Sequence, residues 1–331
     1  MVTIRFAQKK DEQRIVDFIH TNWTGNQTLV RSQPIFCYQY MTFTECGFVL
    51  AEEDGQILGI KGYVPMNRTK NPDIAAALAL VTKNKHPMLN MEMQRYLEKN
   101  TNCRMMCSTG LNANTAARIY PLFHYMVDKL KHYYMLGDCD EFRIADVKER
   151  RDCCTSGRAS LRPLQTAEEM RACFSPEDYM DNLPYKDEAY LRYRFFDHPF
   201  YRYHVYGIVM DDSRAQALLI GREIKAEGAK VFRIVDYVGT REAIAETGTA
   251  LRALMDKQGY EYIDFYCYGM PEAYMAAAGF ALRDANDPNV IPNYFEPFMK
   301  KNVDIVFFCK QKEGFLICKA DGDQDRPNVI N

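Results

Sequence analysis

The sequence predicts an α/β fold built from two similar halves. Three patterns indicate it: short apolar runs typical of strands, helical apolar spacing between those runs, and an order of elements that occurs twice. Corresponding elements lie about 156 residues apart in a chain of 331 residues. Since this length suits two domains of about 150 residues, we expect two domains joined by the charged segment 139–160.

The first half begins with a strand and a helix. Residues 2–7 (VTIRFA) predict the strand, and apolar residues recur at helical spacing over 11–22. The turn Asp54-Gly55 separates two apolar runs and predicts a β-hairpin. The later elements are predicted as a strand over 74–81, a helix over about 88–99, a strand over 103–108, a helix over about 113–123 and a strand over 132–136.

The second half repeats this order. Thr240 is a good N-cap residue, and it predicts one long helix that reaches the region of Tyr260. The other elements are predicted as a helix from about 167, a hairpin of 203–210 with 215–224, strands over 230–239 and 261–269, a helix over 271–280, and closing strands within 303–311 and 315–320.

Composition describes an ordinary globular protein with 47% hydrophobic and 26% charged residues. The net charge of −2 offers no basic face for nucleic acid, and no apolar run approaches the roughly 18 residues of a membrane span. Without a signal-peptide pattern, a cytoplasmic location is expected. The 11 cysteines include no CxxC pair, which favours reduced structural thiols over a zinc site.

Each half resembles the GCN5-related N-acetyltransferases (GNAT) in its order of strand, helix, hairpin, long strand, helix, strand, helix and strand. IRFAQKKDEQRIVDFI is similar to the family's first strand and helix, GFVLAEEDGQILGI to its hairpin, and NANTAARIYPLFHY to its late helix. Gly279-Phe280 keeps the family's Gly-Phe in the second half. A looser resemblance links the C-terminal half to acyltransferases of surface-polysaccharide synthesis.

The resemblance covers nearly the whole chain and implies the α/β (α+β) class. It implies two tandem GNAT-like domains, each a mixed, mostly antiparallel sheet flanked by helices, at 1–138 and 161–331. It also implies a coenzyme-A-dependent N-acyltransferase with acetyl-CoA, or another acyl-CoA, as co-substrate. The expected acceptor is a small amine, such as an amino sugar or sugar nucleotide.

The family binds the coenzyme pyrophosphate at a Gln/Arg-x-x-Gly-x-Gly/Ala loop before a helix. Here the first half has KHPMLN, in which Lys85 keeps the charge while Met88 and Asn90 replace glycines. AETGTA in the second half lacks the basic residue and falls inside the predicted long helix, so the first half is favoured. The coenzyme-binding residues implied are Val81, Lys83, Asn84, Lys85, His86, Met88, Leu89, Asn90 and Asn114.

Three residues are candidates for catalysis. Tyr120 stands where family members place a tyrosine that protonates the coenzyme thiolate, although a hydrogen-bonded core tyrosine is the alternative. Asp236 lies in an apolar strand, where a carboxylate is costly, and is either a base or the ion-pair partner of Arg233 or Arg222. His124 is the third candidate, with simple packing as its alternative. No metal is expected.

The segment KADGDQDRPN near the C-terminus alternates three aspartates, Asp321, Asp323 and Asp325. They match the first ligands of an EF-hand loop, but Arg326 stands where that loop needs glycine and the chain ends before its glutamate. We expect a polar loop folded back at the domain junction, with Asp323, Asp325 and Arg326 contacting the acceptor. A solvated tail is the alternative.

Two other functions stay open at this point. A FemABX-like aminoacyl transferase also uses tandem GNAT-like domains, but the near-neutral chain lacks the basic cluster expected for aminoacyl-tRNA. A GNAT-like binding or regulatory protein without catalysis is favoured by the absence of a regular glycine loop in both halves. The sequence therefore favours an enzyme that acts on a small amine without excluding these two.

Overall fold

The structure is a computed structural model that describes residues 1–23, 28–82, 86–151, 155–211, 214–322 and 324–327. Two large mixed sheets with helices on their faces form its framework. The predicted α/β class, with tandem mixed and mostly antiparallel sheets, is confirmed.

The first sheet has one parallel neighbour pair, β4 with β5, and its other described pairs are antiparallel. Its strands lie side by side in the order β1 (Thr3–Phe6), β2 (Phe48–Glu53), β3 (Gln56–Pro65), β4 (Asp73–Val81), β5 (Met105–Thr109), β16 (Val306–Cys309) and β6 (Met126–Lys129).

The second sheet follows the same plan, with β11 parallel to β12. Its order is β13 (Ala281–Arg283), β7 (Lys131–Leu136), β12 (Tyr262–Tyr268), β11 (Ala229–Gly239), β10 (Ala217–Ala226), β9 (His204–Val209) and β8 (Ser160–Leu164). The short β17 (Ile317–Cys318) also pairs with β12, and β14 (Tyr294–Phe295) pairs with β15 (Phe298–Met299).

Several helices begin at side-chain caps; for example, the Thr166 hydroxyl accepts from the Glu169 amide at the start of α6. The α-helices are α1 (Glu12–Asn22), α2 (Thr28–Arg31), α3 (Gln33–Met41), α4 (Leu89–Thr101), α5 (Ala116–Ile119), α6 (Ala167–Cys173), α7 (Glu188–Leu191), α8 (Gly248–Gln258) and α9 (Glu272–Ala277). Tighter 3₁₀ turns cover Lys9–Asp11, Tyr120–Phe123, Pro176–Tyr179 and Arg241–Glu246, and a π turn covers Arg192–Phe196. Within the described ranges, the helices are too short or too polar to cross a membrane.

The apolar face of α4 shows how a helix is held on its sheet. Leu89, Met93 and Leu97 are buried against the first sheet, together with Val49 and Ile74. Complete burial of each side chain of this size contributes about 1.5–3 kcal/mol. The helical periodicity therefore holds α4 on the face of the first sheet formed by β2, β3 and β4.

The predicted closing strands lie in different sheets, which corrects the sequence analysis. The run 303–311 supplies β16, which inserts between β5 and β6 of the first sheet, whereas 315–320 supplies β17 of the second. The predicted strand over 132–136 likewise lies in the second sheet as β7. Local alternation identifies a strand but not its neighbour. The domain limits 1–138 and 161–331 with their linker stay predictions.

The long helix predicted from Thr240 is wrong. The Thr240 hydroxyl donates to the Gln216 carbonyl, and a 3₁₀ turn follows instead of an α-helix. The α-helix begins only at Gly248, because the Thr247 hydroxyl bonds back to the Ile244 carbonyl and interrupts the helical run. The AETGTA segment therefore spans a helix start rather than a helix interior.

Each sheet opens between its parallel strands. In the first, β4 and β5 pair at Asp73–Ala75 with Met105–Cys107, and beyond this ladder the two strands continue without pairing with each other. We call the space beyond Ala75 and Cys107 the first opening. Beside it, β4 carries one extra residue between Ala76 and Ala79, which makes a β-bulge opposite β3.

The second sheet has the matching feature. Its parallel strands pair at 232–234 with 263–265 and then separate, which defines the second opening. Val235 is the extra residue of a bulge in β11 at the same place. The two halves therefore share not only the order of elements but also the local irregularity beside each opening.

Candidate functional site

A buried lysine lies beside the first opening. Lys61 of β3 is 1% exposed and sits opposite Ala79, next to the β4 bulge. Its ammonium donates to the Tyr120 hydroxyl at 3.0 Å and to the Asn90 side-chain oxygen at 3.2 Å. Among the described residues, no carboxylate lies within ion-pair distance of Lys61. A buried ammonium with neutral partners alone is costly, so this charge needs an explanation.

Tyr120 is held in place by aromatic packing. It is 3% exposed, its ring stacks on Phe308 with centroids 4.2 Å apart, and Tyr125 meets it edge-on at 5.3 Å. Because Lys61 can only donate, the Tyr120 oxygen is the acceptor, and its own proton remains available for a further acceptor. The side chain thus combines the predicted core packing with a hydroxyl aimed at a polar site.

The other residues of the predicted coenzyme site have different environments. Lys83, Asn84 and Lys85 lie outside the described residues. Val81 ends β4, His86 and Met88 are exposed before the helix, Leu89 is buried in the core, and Asn90 bonds Lys61. Asn114 is exposed, and its amide donates to the Asn112 side chain at 2.9 Å. The structure thus brings Asn90 and Tyr120 together on one lysine.

His124 lies on the surface at the end of the Tyr120–Phe123 turn. Its φ of 68° is in the left-handed region, and its amide donates to the Pro121 carbonyl at 3.0 Å. Left-handed residues are typical of the position that ends a helical turn. The described contacts of His124 are thus those of a turn, while a catalytic role for it stays a prediction.

Residues 317–320 occupy the second opening. Ile317–Cys318 pairs with β12, while the Ala320 amide donates to the Val235 carbonyl of β11 at 3.0 Å. Both walls of this opening therefore bond to the same segment of the chain. These side chains are also buried, with Ile317 and Cys318 at 0% exposure.

The start of α8 is also covered by the chain itself. The Thr249 amide donates to the Ser156 carbonyl at 3.2 Å, and the Ala159 amide donates to the Glu246 carbonyl at 3.0 Å. A Cβ added at Gly248 would lie 2.6 Å from the Ser156 oxygen. The segment 155–159 thus takes the place that an anionic ligand would need at this helix start.

A buried ion-pair triad lies between the two sheets. The Lys186 ammonium is 2.5 Å from Asp236 and 2.7 Å from Asp321, and the carboxylates are 0% exposed. Burial favours the neutral amine, but the two carboxylates raise the pKa of Lys186 well above its usual range. Burial raises the pKa of Asp321 to about 6, against the opposing effect of Lys186.

Asp236 therefore has a partner that the sequence analysis did not predict. Arg233 bonds Asp264, which lies directly opposite it on β12, and Arg222 bonds Asp325. Cys318 lies close to the triad, and its donor atom and those of Asp236 and Asp321 are all within 4.8 Å of one another. Since Lys186 bonds both carboxylates, the triad already contains a cation, and the expectation of no metal stays a prediction.

Asp325 is the centre of a second buried cluster. Arg222 donates to one carboxylate oxygen at 2.9 Å, the Tyr203 hydroxyl donates to the other at 2.6 Å, and Arg194 donates to the Asp325 carbonyl at 2.7 Å. Burial alone would raise the pKa of Asp325, but Arg222 and Arg194 hold it well below its usual range. Its carboxylate is therefore ionised and occupied by protein donors.

A narrow cleft of about 30 Å³ separates the tail from the two sheets, with room for about one or two water molecules. Tyr38 stacks on Tyr193 at 4.4 Å, and His198 meets Tyr38 edge-on at 4.8 Å. The cleft is lined by Ile35, Tyr38, Gln39, Val64, Ala75, Ala77, Tyr190, Tyr193, Arg194, His198, Gly322, Asp325, Arg326 and Pro327. It thus joins both halves of the chain and runs to the β4 side of the first opening.

His198 has a fixed hydrogen-bonding role in this cleft. Its Nδ1 accepts from the amides of Phe200 and Tyr201, which places the ring proton on Nε2. Burial, with Arg194 nearby, lowers the pKa of His198 to about 3. The ring is therefore a neutral donor at physiological pH rather than a base.

The predicted return of the tail to the domain junction is confirmed for its described residues. Asp321 and Asp325 are buried, the Thr109 hydroxyl donates to the Asp321 carbonyl at 3.1 Å, and the Arg326 guanidinium lies over the Trp23 ring at 5.4 Å. Asp323 lies outside the described residues. The alternative of a solvated tail is wrong for Asp321 and Asp325.

Comparison with solved structures identifies the fold. A GCN5-related N-acetyltransferase from Anabaena variabilis aligns with 93% of this chain and 72% of its own, with a TM-score of 0.56 and 10% identity. A conserved protein from Enterococcus faecalis, described as a probable N-acyltransferase, aligns over the same shares with a TM-score of 0.55 and 9% identity. The chain therefore has the fold of the GCN5-related N-acetyltransferases, in tandem, over most of its length.

This likeness extends to architecture alone, because identity near 10% carries no information on substrate. No protein-family model and no curated protein matches the chain. Nothing in these comparisons supports the looser resemblance to proteins of polysaccharide synthesis.

Proposed function

We propose that the protein is a coenzyme-A-dependent N-acyltransferase that uses acetyl-CoA at the first opening. The acceptor is a small amine, such as an amino sugar or a sugar nucleotide. One observation carries the proposal: the buried charge of Lys61 has no carboxylate partner among the described residues and lies beside Tyr120, next to the bulge of β4. An anionic ligand would balance this charge.

The first opening also suits the coenzyme better than the second. The second opening is occupied by residues 317–320, and the start of α8 is covered by 155–159. At the first opening, the start of α4 offers its positive dipole end to phosphates. The residues that would hold the coenzyme are Val81, Lys83, Asn84, Lys85, His86, Met88, Leu89, Asn90 and Asn114.

The reaction requires a polarised carbonyl and a protonated leaving group. A bound acyl-CoA supplies the activated thioester. The acceptor nitrogen forms the new C–N bond as the C–S bond breaks, and sulfur keeps the bonding electron pair. Tyr120 donates a hydrogen bond to the thiolate that leaves, and the attacking nitrogen loses a proton to water or a base. The extra residue of the β4 bulge provides backbone polar groups outside the ladder for the carbonyl oxygen.

The acceptor would enter through the aromatic cleft between the halves. Tyr38 and Tyr193 stack on each other in this cleft, and Tyr38, which is only partly buried, is the ring that would bind an ammonium or stack on a sugar. Since the cleft is narrow, binding requires it to widen. The proposed contacts from the tail are Asp323, Asp325 and Arg326. Asp325 would act indirectly, through the side chains that donate hydrogen bonds to its carboxylate. Asp236 can serve as a base only if Lys186 leaves it.

The coenzyme site is tested by titration calorimetry with acetyl-CoA. Asn90→Leu at the first opening should weaken binding at least about tenfold, since it removes a polar group beside Lys61. Cys318→Ala, buried in the second opening, is the matched control and should keep the affinity of the wild type within about twofold. The proposal fails if wild-type protein does not bind acetyl-CoA at millimolar concentration, or if only the Cys318 variant loses binding.

The acceptor site is tested with a panel of amino sugars and amino-sugar nucleotides, by thiol release. Tyr38→Leu should raise the acceptor KM about tenfold, as expected for loss of a stacking ring, and leave acetyl-CoA affinity unchanged. Tyr179→Leu is the matched control: each tyrosine stacks on an aromatic ring and donates its hydroxyl to a backbone carbonyl. Coenzyme binding without turnover of any amine would favour the binding or regulatory protein.

A further inference from the structure

Lys61 differs from the other buried lysine that bonds to polar groups. Lys186 is bonded to two carboxylates, which compensate its charge, whereas the partners of Lys61 are one phenol and one amide oxygen. An ammonium has three donors, and the third donor of Lys61 has no partner within the described part of the chain. The structure therefore holds a positive charge in place at the first opening before any ligand is bound.

The elements packed around Lys61 supply few other titratable groups. From α4, Glu98 accepts the Tyr125 hydroxyl in a short hydrogen bond, and Tyr125 meets the Tyr120 ring edge-on. Burial and Glu98 raise the pKa of Tyr125 above its usual range, so it stays neutral at physiological pH. Glu98 is bonded to Gln94 and Tyr125 and not to Lys61. The charge of Lys61 is thus left for a ligand.

We propose that the first opening binds coenzyme A as its thiolate, with Lys61 acting through Tyr120 as the positioning residue for the sulfur. This inference rests on the proposed function, because it assumes that the coenzyme binds beside Tyr120. Lys61 donates to the phenol oxygen, which polarises the phenol and turns its proton towards the ligand.

This arrangement assigns each group a part in the release of the product. When the C–S bond of the thioester breaks, sulfur takes the bonding pair and is a thiolate. The Tyr120 hydroxyl donates a hydrogen bond to this thiolate. The Lys61 ammonium, which is hydrogen-bonded to Tyr120, supplies the compensating positive charge.

Proton release on binding measures the ionisation of the sulfur without an acceptor. A free cysteine thiol has a pKa of about 8.5, and with the same value for the coenzyme thiol roughly one tenth of the coenzyme would be thiolate in solution at pH 7.5. If the bound thiol titrates about two pH units lower, binding releases about 0.8 proton and is about tenfold tighter than binding of the thiol alone. Desulfo-coenzyme A has no thiol and should release none.

The experiment is calorimetry at pH 7.5 in two buffers of different ionisation enthalpy, with coenzyme A and with desulfo-coenzyme A. We expect about 0.8 proton released by the wild type with coenzyme A only. Lys61→Met and Tyr120→Phe should lower the release below about 0.3 proton and weaken coenzyme A about tenfold, while desulfo-coenzyme A binds as before. The control is Lys99→Met, which changes an exposed lysine of α4, the helix that packs on the site, and it should match the wild type.

The outcomes separate this inference from the proposed function. If the wild type binds neither ligand, the proposed function fails and the inference with it. If both ligands bind and the wild type releases less than about 0.2 proton, or Lys61→Met releases as much as the wild type, only the inference is overturned. Retained affinity for desulfo-coenzyme A shows that a variant is folded. If Lys61→Met does not fold, Tyr120→Phe, which removes one buried hydroxyl, decides the question by the same two criteria.

Discussion

The two openings share one architecture but differ in what occupies them. Each lies between parallel strands beside a β-bulge, at Ala76–Ala79 in the first sheet and at Val235 in the second. The second is occupied by residues 317–320, which bond to both of its walls. The first is bordered by a buried lysine that lacks a charged partner within the described residues. A repeated fold can therefore keep one opening for a ligand and use the other for stability.

Three lysines are buried among the described residues, and the same contrast appears in two of them, Lys186 and Lys61, while the third, Lys319, lies over the Tyr266 ring. Lys186 holds two carboxylates, one from β11 and one from the tail, and so ties the tail to the second sheet. Lys61 has polar but uncharged partners. Because a counter-charge helps to offset the desolvation of a buried charge, we interpret Lys186 as a structural residue and propose an anion site at Lys61. Four predictions test the comparison between the two halves.

Lys186→Met should have the largest effect on stability. It leaves Asp236 and Asp321 buried side by side without a cation, and the loss of one partner from a buried ion pair costs about 4 kcal/mol. Urea unfolding of the variant and the wild type at pH 7 measures the difference. The exposed Lys99→Met is the control and should lie within about 0.5 kcal/mol of the wild type. A cost below about 1 kcal/mol for Lys186→Met would contradict the structural role of the triad.

Ile317→Ala should come next, because it removes buried apolar atoms from the second opening. The side chain is 0% exposed, and truncation of such a residue costs about 3 kcal/mol. The affinity for acetyl-CoA should not change, since the second opening is not the proposed coenzyme site. Denaturant unfolding and calorimetry on the same samples check both parts. A large loss of coenzyme affinity in a folded variant would show that the coenzyme site had been proposed in the wrong half of the chain.

Asp321→Asn should produce a smaller effect that depends on pH. The pKa of Asp321 is about 6 in the folded protein, above the value of about 4 expected when unfolded. The folded state therefore binds more protons between these values, and the wild type gains stability relative to the variant as pH falls from 7 to 5. The expected gain is about 1 kcal/mol, measured by urea unfolding at both pH values.

Other buried groups also change the stability between pH 7 and pH 5, but they are common to the variant and the wild type. Burial lowers the pKa of His132 to about 4 and that of His198 to about 3, so each destabilises the fold as pH falls below the ordinary value of histidine. Their contribution cancels when the variant is compared with the wild type. A difference that is flat from pH 7 to pH 5 would show that Asp321 does not titrate there.

Local patterns predicted most of the elements, but not their long-range partners. The hairpin at Asp54-Gly55 and the strand containing Asp236 follow from spacing and turn chemistry, and both are present. The location of β16 in the first sheet does not follow from the sequence. An alternating apolar pattern predicts a strand, but it does not determine which strand pairs with it. The sequence left Asp236 open between a base and an ion pair with Arg233 or Arg222, but Arg233 bonds Asp264 directly opposite it, Arg222 bonds Asp325, and Lys186 pairs with Asp236.

Lys61 was missed although a signal was available. A single lysine within QILGIKGYVP, an otherwise apolar strand, is as unusual as the aspartate in RIVDY that was chosen. The identity of its partners, however, depends on α4 and on the turn at Tyr120, which lie 29 and 59 residues further along the chain. Sequence reasoning can therefore identify the buried charge, while tertiary packing determines whether a counter-charge meets it.

The smallest expected effect comes from a substitution at one of two turn residues that occupy corresponding positions in the two halves. His124 and Gly279 each follow the late helix of their half, with φ of 68° and 90°. His124 is exposed and glycine suits its φ, so His124→Gly should change the free energy of unfolding by less than about 1 kcal/mol. Gly279→Ala is the matched change and should cost more, because its Cβ would lie 2.7 Å from Thr155. Thermal unfolding measures both variants. Acyl transfer by His124→Gly should equal that of the wild type if the residue only ends a turn, and loss of transfer with full coenzyme binding would instead make His124 catalytic.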